Sequence, residues 1–345
     1  MALQIPIAVT GHLGSPYTFK MLAVLRYRHI PYRFLTTNNP ANEAMPKPGV
    51  RLVPIFYLPG EGGALEAVTD STPIIRRLER EVEGRSVIPD DPALAFIDEL
   101  IEDYADEWLT KAMFHYRWSH DADIRKASMA LGCWSGYSIP DAALAERAQA
   151  SLRRQTGRLG VVGSNTVTGP VIEASYRRFL LAFEAHLTQQ PFLLGARPAA
   201  SDFAVFGQLS QLAQFEPTSM ALTAEIAPRV YAWVSVMADL SGLEPDKLDW
   251  LPLANVPATL IALLAEIGRV YPPVMLANAR ALETGASEVT AEVDGKPWVQ
   301  APFPYQAKCL RWLRASYADL PSAARDQVGP LLEQTGLAGM FKTTE

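Results

Sequence analysis

The sequence predicts an α/β unit at the N-terminus, an all-helical domain after it, and an extension holding a β-hairpin and helices. Three observations carry this. Residues 5–78 alternate strand-like and helix-like runs in the order strand, helix, strand, loop, strand, strand, helix. From residue 93 to about 240 the apolar residues keep helical spacing almost throughout. Asp294-Gly295 then sits between two alternating runs, a strong hairpin signal. The expected domains are 1–84, 92–250 and 251–345, with residues 85–92 as a linker.

Residues 5–10 form a short apolar run of strand length, closed by the turn Gly11-His12-Leu13-Gly14. Ser15-Pro16 opens a helix: serine is a good N-cap and proline suits the first helical position. Phe19, Leu22, Ala23 and Leu25 continue it until Pro31, and residues 32–35 read as a second strand. After a Pro/Asn-rich loop, residues 52–58 and 65–68 pair as a hairpin in a mixed sheet. Asp70-Ser71-Thr72-Pro73 caps a helix with Ile74, Ile75 and Leu78 on its inner face. Helices are expected near 93–118, 121–133, 141–156, 170–188, 200–215 and 221–240. A helix over 256–284 should kink or break at Pro272-Pro273. The hairpin 289–300, a helix over 305–317 and a short helix after Ser322 complete the chain.

Composition narrows the function classes. The chain has 345 residues, 49% hydrophobic and 20% charged, which suits two or more folded domains. A net charge of -6 without Lys/Arg runs argues against nucleic acid and against an anionic membrane surface as partners. The start lacks a signal-peptide pattern and the longest apolar helical stretch, residues 256–264, is too short for a bilayer, so a cytoplasmic location is expected. The two cysteines, Cys133 and Cys309, cannot build a disulfide framework and read as buried structural thiols. No metal-spaced His/Cys cluster, P-loop or dinucleotide glycine pattern appears, so no metal is expected.

The segment Ser15-Pro-Tyr-Thr-Phe running to His29-Ile-Pro-Tyr32 resembles the start of a cytosolic glutathione S-transferase. Leu52-Val-Pro-Ile-Phe56 is similar to the family's Val-Pro segment, and Leu65-Glu-Ala-Val-Thr-Asp-Ser-Thr-Pro73 to its acidic-Ser helix start. Pro191-Phe-Leu-Leu-Gly-Ala-Arg-Pro-Ala-Ala-Ser-Asp-Phe203 resembles the helical-domain motif, with Asp202 as its acidic residue, and Ala227-Pro-Arg-Val-Tyr-Ala-Trp233 the late helix. Together, in order, they cover residues 3 to 240 and resemble a bacterial-type member with a C-terminal extension. The resemblance implies a thioredoxin-like first domain, an all-helical second domain and a homodimer. One departure is Ala199, which stands where the family has the Ser or Thr of a capping box.

It also implies a site. Glutathione must react as a thiolate, and a helix N-terminus with a donating hydroxyl lowers a thiol pKa. Ser15 matches the family's catalytic position, although it also suits a plain cap; Tyr17 is the rival donor, with core packing as its other reading. Serine cannot form a mixed disulfide, which disfavours reductase chemistry. Val53, before an expected cis Pro54, would pair with the cysteinyl backbone of glutathione, and Asp70 and Ser71 would take its γ-glutamyl end. Lys47 and Arg51 could meet the glycine carboxylate or be solvated loop charges. The aromatic residues Tyr104, Trp108, Phe114, Tyr116 and Trp118 read mostly as core; Tyr104 and Trp108 are the candidates for the second-substrate pocket. The neighbouring acids Asp98, Glu99, Glu102, Asp103, Asp106 and Glu107 read as a solvated face or dimer rim. The expected function is glutathione transfer, with glutathione as co-substrate, to a small apolar electrophile. The competing expectation is a glutathione-fold interaction protein without turnover. The extension is expected to thicken the helical domain more than to roof the cleft.

Overall fold

A computed structural model describes residues 3, 5–134, 136–246 and 249–342. The first domain is a four-stranded sheet in the order β2-β1-β3-β4, with β1 Ile7–Gly11, β2 Tyr32–Thr36, β3 Ile55–Pro59 and β4 Leu65–Val68. β1 and β2 are parallel, while β1–β3 and β3–β4 are antiparallel, so the sheet is mixed. α1 (Pro16–Tyr27) and α2 (Ser71–Glu81) bury Met21, Val24, Leu25, Ile74, Ile75 and Leu78 with the strand residues Ile7, Val9, Phe56 and Leu58.

The helical domain contains α3 (Pro92–Tyr104), α4 (Thr110–Ser119), α5 (Asp121–Trp134), α6 (Asp141–Thr156), α7 (Gly169–His186), α8 (Ala200–Leu212), α9 (Pro217–Ile226) and α10 (Pro228–Met237). The single helix expected over 93–118 is divided by a π-helical turn, Ala105–Leu109. Such a turn swings side chains off the face they would otherwise share. The helix expected over 221–240 is two helices, because Ala227 precedes a proline, turns out of helical conformation and lets Pro228 open α10.

All thirteen residues of α8 are buried, and α1 crosses it closely. The crossing depends on Gly207, where a Cβ would lie 2.7 Å from the Pro16 carbonyl oxygen. Asp202 accepts from the Ala199 N–H at 2.9 Å and from the Leu193 N–H at 2.9 Å. One half of the family's capping box therefore survives without the missing hydroxyl.

The extension contains α11 (Ala258–Thr284), the hairpin β5 (Val289–Val293) and β6 (Lys296–Gln300), α12 (Pro304–Asp319) and α13 (Ser322–Thr335). Contrary to the expected break, α11 continues through Pro272 and Pro273. Leu263, Leu264, Ile267, Val270, Tyr271, Val274 and Met275 are all buried around the prolines, and that packing outweighs the lost backbone hydrogen bonds. α11 is long and apolar enough to cross a bilayer, with mean hydropathy 1.5, but it packs against α7, β5, α12 and α13, and 56% of its most apolar window is buried. The largest hydrophobic cluster runs from the sheet through the helical domain to Trp298, Leu310, Leu313 and Met340.

Candidate functional site

Strand register brings three loops to one end of the sheet. Thr10 pairs with Ile55, and Phe56 pairs with Val68. The loop after β1 carrying Ser15, the Val53-Pro54 step before β3 and the Asp70-Ser71 start of α2 therefore leave the same end. The Val53–Pro54 peptide is cis.

Ser15 is the N-cap of α1, half-buried, with its Oγ accepting from the Thr18 N–H at 3.3 Å. Its loop is held from within and from the helical domain. The Ser15 N–H donates to the His12 carbonyl at 2.9 Å, and the Gly14 N–H to His12 Nδ1 at 3.0 Å. The buried guanidinium of Arg117 in α4 donates to the Gly14 carbonyl at 2.8 Å. Arg117 is itself seated by Gln211 at 2.7 Å and by Glu216. Burial, and then the charge of Arg117, lower the His12 pKa and favour a neutral imidazole beside Ser15.

Tyr17 is not placed to serve as an alternative donor. Its hydroxyl donates to the Asp106 carbonyl in the π-helical turn at 2.7 Å, and burial with nearby Glu107 and Asp106 pushes the phenol pKa well up. The turn reorients Asp106, so an aromatic one position after Pro16 points into the domain interface.

Asp70 has φ of 85°, a left-handed conformation that a non-glycine residue adopts at a cost of about 1–3 kcal/mol. It makes no side-chain cap bond to α2. Its Oδ2 instead accepts from the Tyr305 hydroxyl of α12 at 2.7 Å, and Lys308 Nζ lies 3.9 Å away. The expectation that the extension only thickens the helical domain is therefore corrected: α12 reaches the start of α2 in the first domain. Ser71 Oγ accepts from Lys20 Nζ at 3.1 Å, which leaves its own proton to donate.

Lys20 is fully buried and also binds Glu102 at 2.8 Å and Asp106 at 2.6 Å. Burial opposes its charge, but Asp106 and Glu102 more than offset that and push it up to about 12. Arg76 adds a 3.2 Å pair to Glu102. The acids of α3 and the π-helical turn are thus no solvated rim. Asp98, Glu102, Asp106 and Glu107 are buried: Lys20 and Arg76 reach Glu102 and Asp106 from α1 and α2, Asp98 is bonded to Ser201 of α8, and Glu107 meets Gln306 of α12. Burial raises Asp98 and Asp103 to about 7 and Asp106 to about 6. A cavity of about 30 Å³, room for one water, lies among Thr72, Glu102, Asp106, Tyr305 and Cys309.

Cys309, distant in sequence, is carried back to this interface by α12. Burial, then Asp103 and Glu107, push its thiol pKa up, so it stays protonated and unreactive. Cys133 is half-buried, less enclosed than expected.

Tyr104 and Trp108, proposed for the second-substrate pocket, are core residues with exposures of 0% and 1%. Tyr104 packs on Phe179 and Tyr271, and Trp108 on Trp298 with its indole N–H donating to Ser175 at 2.8 Å. The extension supplies Tyr271 and Trp298, so its docking turns a possible cleft wall into core. With Arg117, α5 also covers the Ser15 loop: a Cβ at Gly14 would lie 2.2 Å from Leu131, and Trp134, half-buried, is edge-on to His12 with ring centroids 6.1 Å apart. A Cβ at Gly14 would lie 3.3 Å from Trp134. Nothing in local spacing marks Trp134, Lys20 or Arg117 as site residues.

On the other side of Val53 an open cavity of about 380 Å³ is lined by Thr10, Tyr57 and the exposed Lys47 and Arg51. Lys47 Nζ donates to the Asn42 carbonyl at 2.8 Å.

Comparison with known proteins agrees with this architecture. The glutathione S-transferase N-terminal domain family matches residues 10–86, and the glutathione S-transferase C-terminal domain family matches residues 141–235. No curated protein matches the chain. Among solved structures, a GST-like protein from Pseudomonas syringae is 16% identical, with 67% of this chain and 66% of that one covered at a TM-score of 0.43. A glutathione transferase family member from Pseudomonas fluorescens Pf-5, with two glutathione bound, is 15% identical over 72% and 95% at 0.43. Beta-etherase LigF from Sphingobium sp. strain SYK-6 is 17% identical over 70% and 96% at 0.43. With both of the family's domains present in order, ahead of an extension, the chain belongs to the glutathione S-transferase superfamily.

Proposed function

We propose that the protein binds glutathione at the loop end of the sheet and activates its thiol at Ser15 for transfer to a small apolar electrophile. The observation that carries this is the register that gathers Ser15, Val53-Pro54 and Asp70-Ser71 at one end. The backbone of Val53, just before the cis Pro54, pairs with the cysteinyl unit. The N-terminus of α2 and Ser71 take the γ-glutamyl carboxylate, and Asp70 takes the amine. Lys47 and Arg51 meet the glycine carboxylate across the cavity beside Val53. The sulfur then lies at the N-terminus of α1, where the Ser15 hydroxyl donates to the thiolate and the helix dipole favours the negative charge. Neutral His12 and the indole of Trp134 form the apolar wall for the electrophile.

The test is thiol consumption with a generic aromatic electrophile, in the wild type and in Ser15→Ala and Trp134→Ala. Turnover that falls in Ser15→Ala, and an electrophile KM that rises in Trp134→Ala, support the reading. Glutathione binding with no turnover on any electrophile favours the second reading, an interaction protein. One observation stands on that side: Tyr305 already occupies an Asp70 oxygen. Absence of glutathione binding at millimolar concentration rejects both.

A further inference from the structure

We propose that His115, His120 and Glu173 form a binding site for one zinc-class divalent cation in the helical domain, separate from the glutathione site. His115 lies near the end of α4, His120 follows that helix, and Glu173 comes from the first turns of α7. Their ligand atoms lie within 4.8 Å of one another. Glu173 Oε1 is 3.1 Å from His115 Nε2 and 3.2 Å from His120 Nε2. Zinc–nitrogen and zinc–oxygen bonds of about 2.0–2.2 Å at tetrahedral angles place neighbouring donors roughly 3.3 Å apart. The two measured edges are therefore already close to those of a coordination shell. Two imidazoles and a carboxylate also form a donor set suited to zinc, with one position left for water.

The surroundings hold the rings as an outer shell would. His115 Nδ1 is 2.8 Å from Ser164 Oγ and 3.2 Å from Ser119 Oγ. An acceptor at Nδ1 fixes the tautomer that turns the Nε2 lone pair toward a cation. Tyr116 stacks on His120 with centroids 5.3 Å apart and meets His115 edge-on at 5.8 Å. Gly169 opens α7 directly against His115, and a Cβ there would lie 2.9 Å from the ring. Linear spacing hides the set, since the carboxylate arrives from another helix. Without a cation, His115 Nε2 is hydrogen-bonded to Glu173 Oε1 at 3.1 Å, while among the described residues the buried His120 Nε2 has no hydrogen-bond partner, so binding must be measured.

Zn²⁺ is titrated into the chelator-stripped full chain in competition with a chromogenic indicator, and Co²⁺ is added separately for its visible spectrum. One ion per chain is expected, with Co²⁺ bands of a low-coordinate nitrogen/oxygen site. His120→Ala and Glu173→Gln should each abolish that equivalent, and Ser164→Ala should weaken it about tenfold or more. His120 is half-buried at a helix end and Glu173→Gln keeps the side-chain shape, so both variants should fold; melting curves without metal confirm it. Absence of a saturable equivalent overturns the proposal, as does an equivalent that survives either substitution in a folded variant.

Discussion

The Tyr305 hydroxyl donates a 2.7 Å hydrogen bond to the Asp70 carboxylate, joining a helix of the C-terminal extension to the start of α2 in the first domain. Lys308 stands 3.9 Å from the same oxygen, so the extension contributes two groups to the end of the cleft assigned to the γ-glutamyl unit. The bond holds Asp70 in position while leaving its other oxygen for an amine. Tyr305→Phe should therefore raise the glutathione KM by about tenfold, the worth of a hydrogen bond to a charged group, with kcat unchanged. Initial-rate kinetics with glutathione varied decide it. A lower KM would mean that Tyr305 competes with the ligand for Asp70.

Ser15→Ala should lower kcat by about a hundredfold, the typical cost of losing one donor to a developing anion, while glutathione affinity changes little. The pKa of the bound thiol, followed by its ultraviolet absorbance against pH, should rise. The Thr18 N–H also loses its cap, at a cost of about 1 kcal/mol in stability. Unchanged turnover would leave Ser15 a cap and assign activation to the helix N-terminus alone.

Lys20→Met should destabilise the chain by about 3–5 kcal/mol, because it leaves Glu102 and Asp106 buried without their shared cation. Denaturant unfolding of the two proteins measures it. A loss below about 1 kcal/mol, the range of an exposed pair, would show that water reaches the interface.

Asp98 has 0% exposure; its Oδ1 accepts from the Ser201 N–H at 2.8 Å, and among the described residues its Oδ2 has no partner. Burial, with Glu102 adding and Arg76 opposing, raises it from 3.8 to about 7. Between those values the folded chain holds a proton that the unfolded chain has released, so stability falls as pH rises through that window. The slope from this group approaches 1.4 kcal/mol per pH unit. Asp98→Asn keeps the Ser201 bond and should flatten the decline in melting temperature between about pH 4 and 7. Parallel slopes in the two proteins would show that Asp98 stays ionised.

Much of the fold is written locally. The Ser15-Pro16 cap, the Asp294-Gly295 turn and the helical spacing of apolar residues each depend on a few neighbouring positions, so they can be read before any tertiary contact is known. Val53-Pro54 and Asp70-Ser71 are legible for the same reason, since each marks the end of an element. Long-range packing decided the rest. Asp98, Glu102 and Asp106 read as a solvated acidic face until Lys20 and Arg76 arrive from the first domain and α12 covers them. Tyr104 and Trp108 read as cleft aromatics until Tyr271 and Trp298 bury them. Tyr17 read either as a rival thiol donor or as core, and the acceptor at Asp106 in the π-helical turn decided for packing. By itself the sequence determined the order of the main elements and which loop ends lie at the proposed glutathione site. Only the tertiary structure decided which polar and aromatic side chains face the cleft, because burial depends on residues up to 235 positions apart, as in the Tyr305–Asp70 bond.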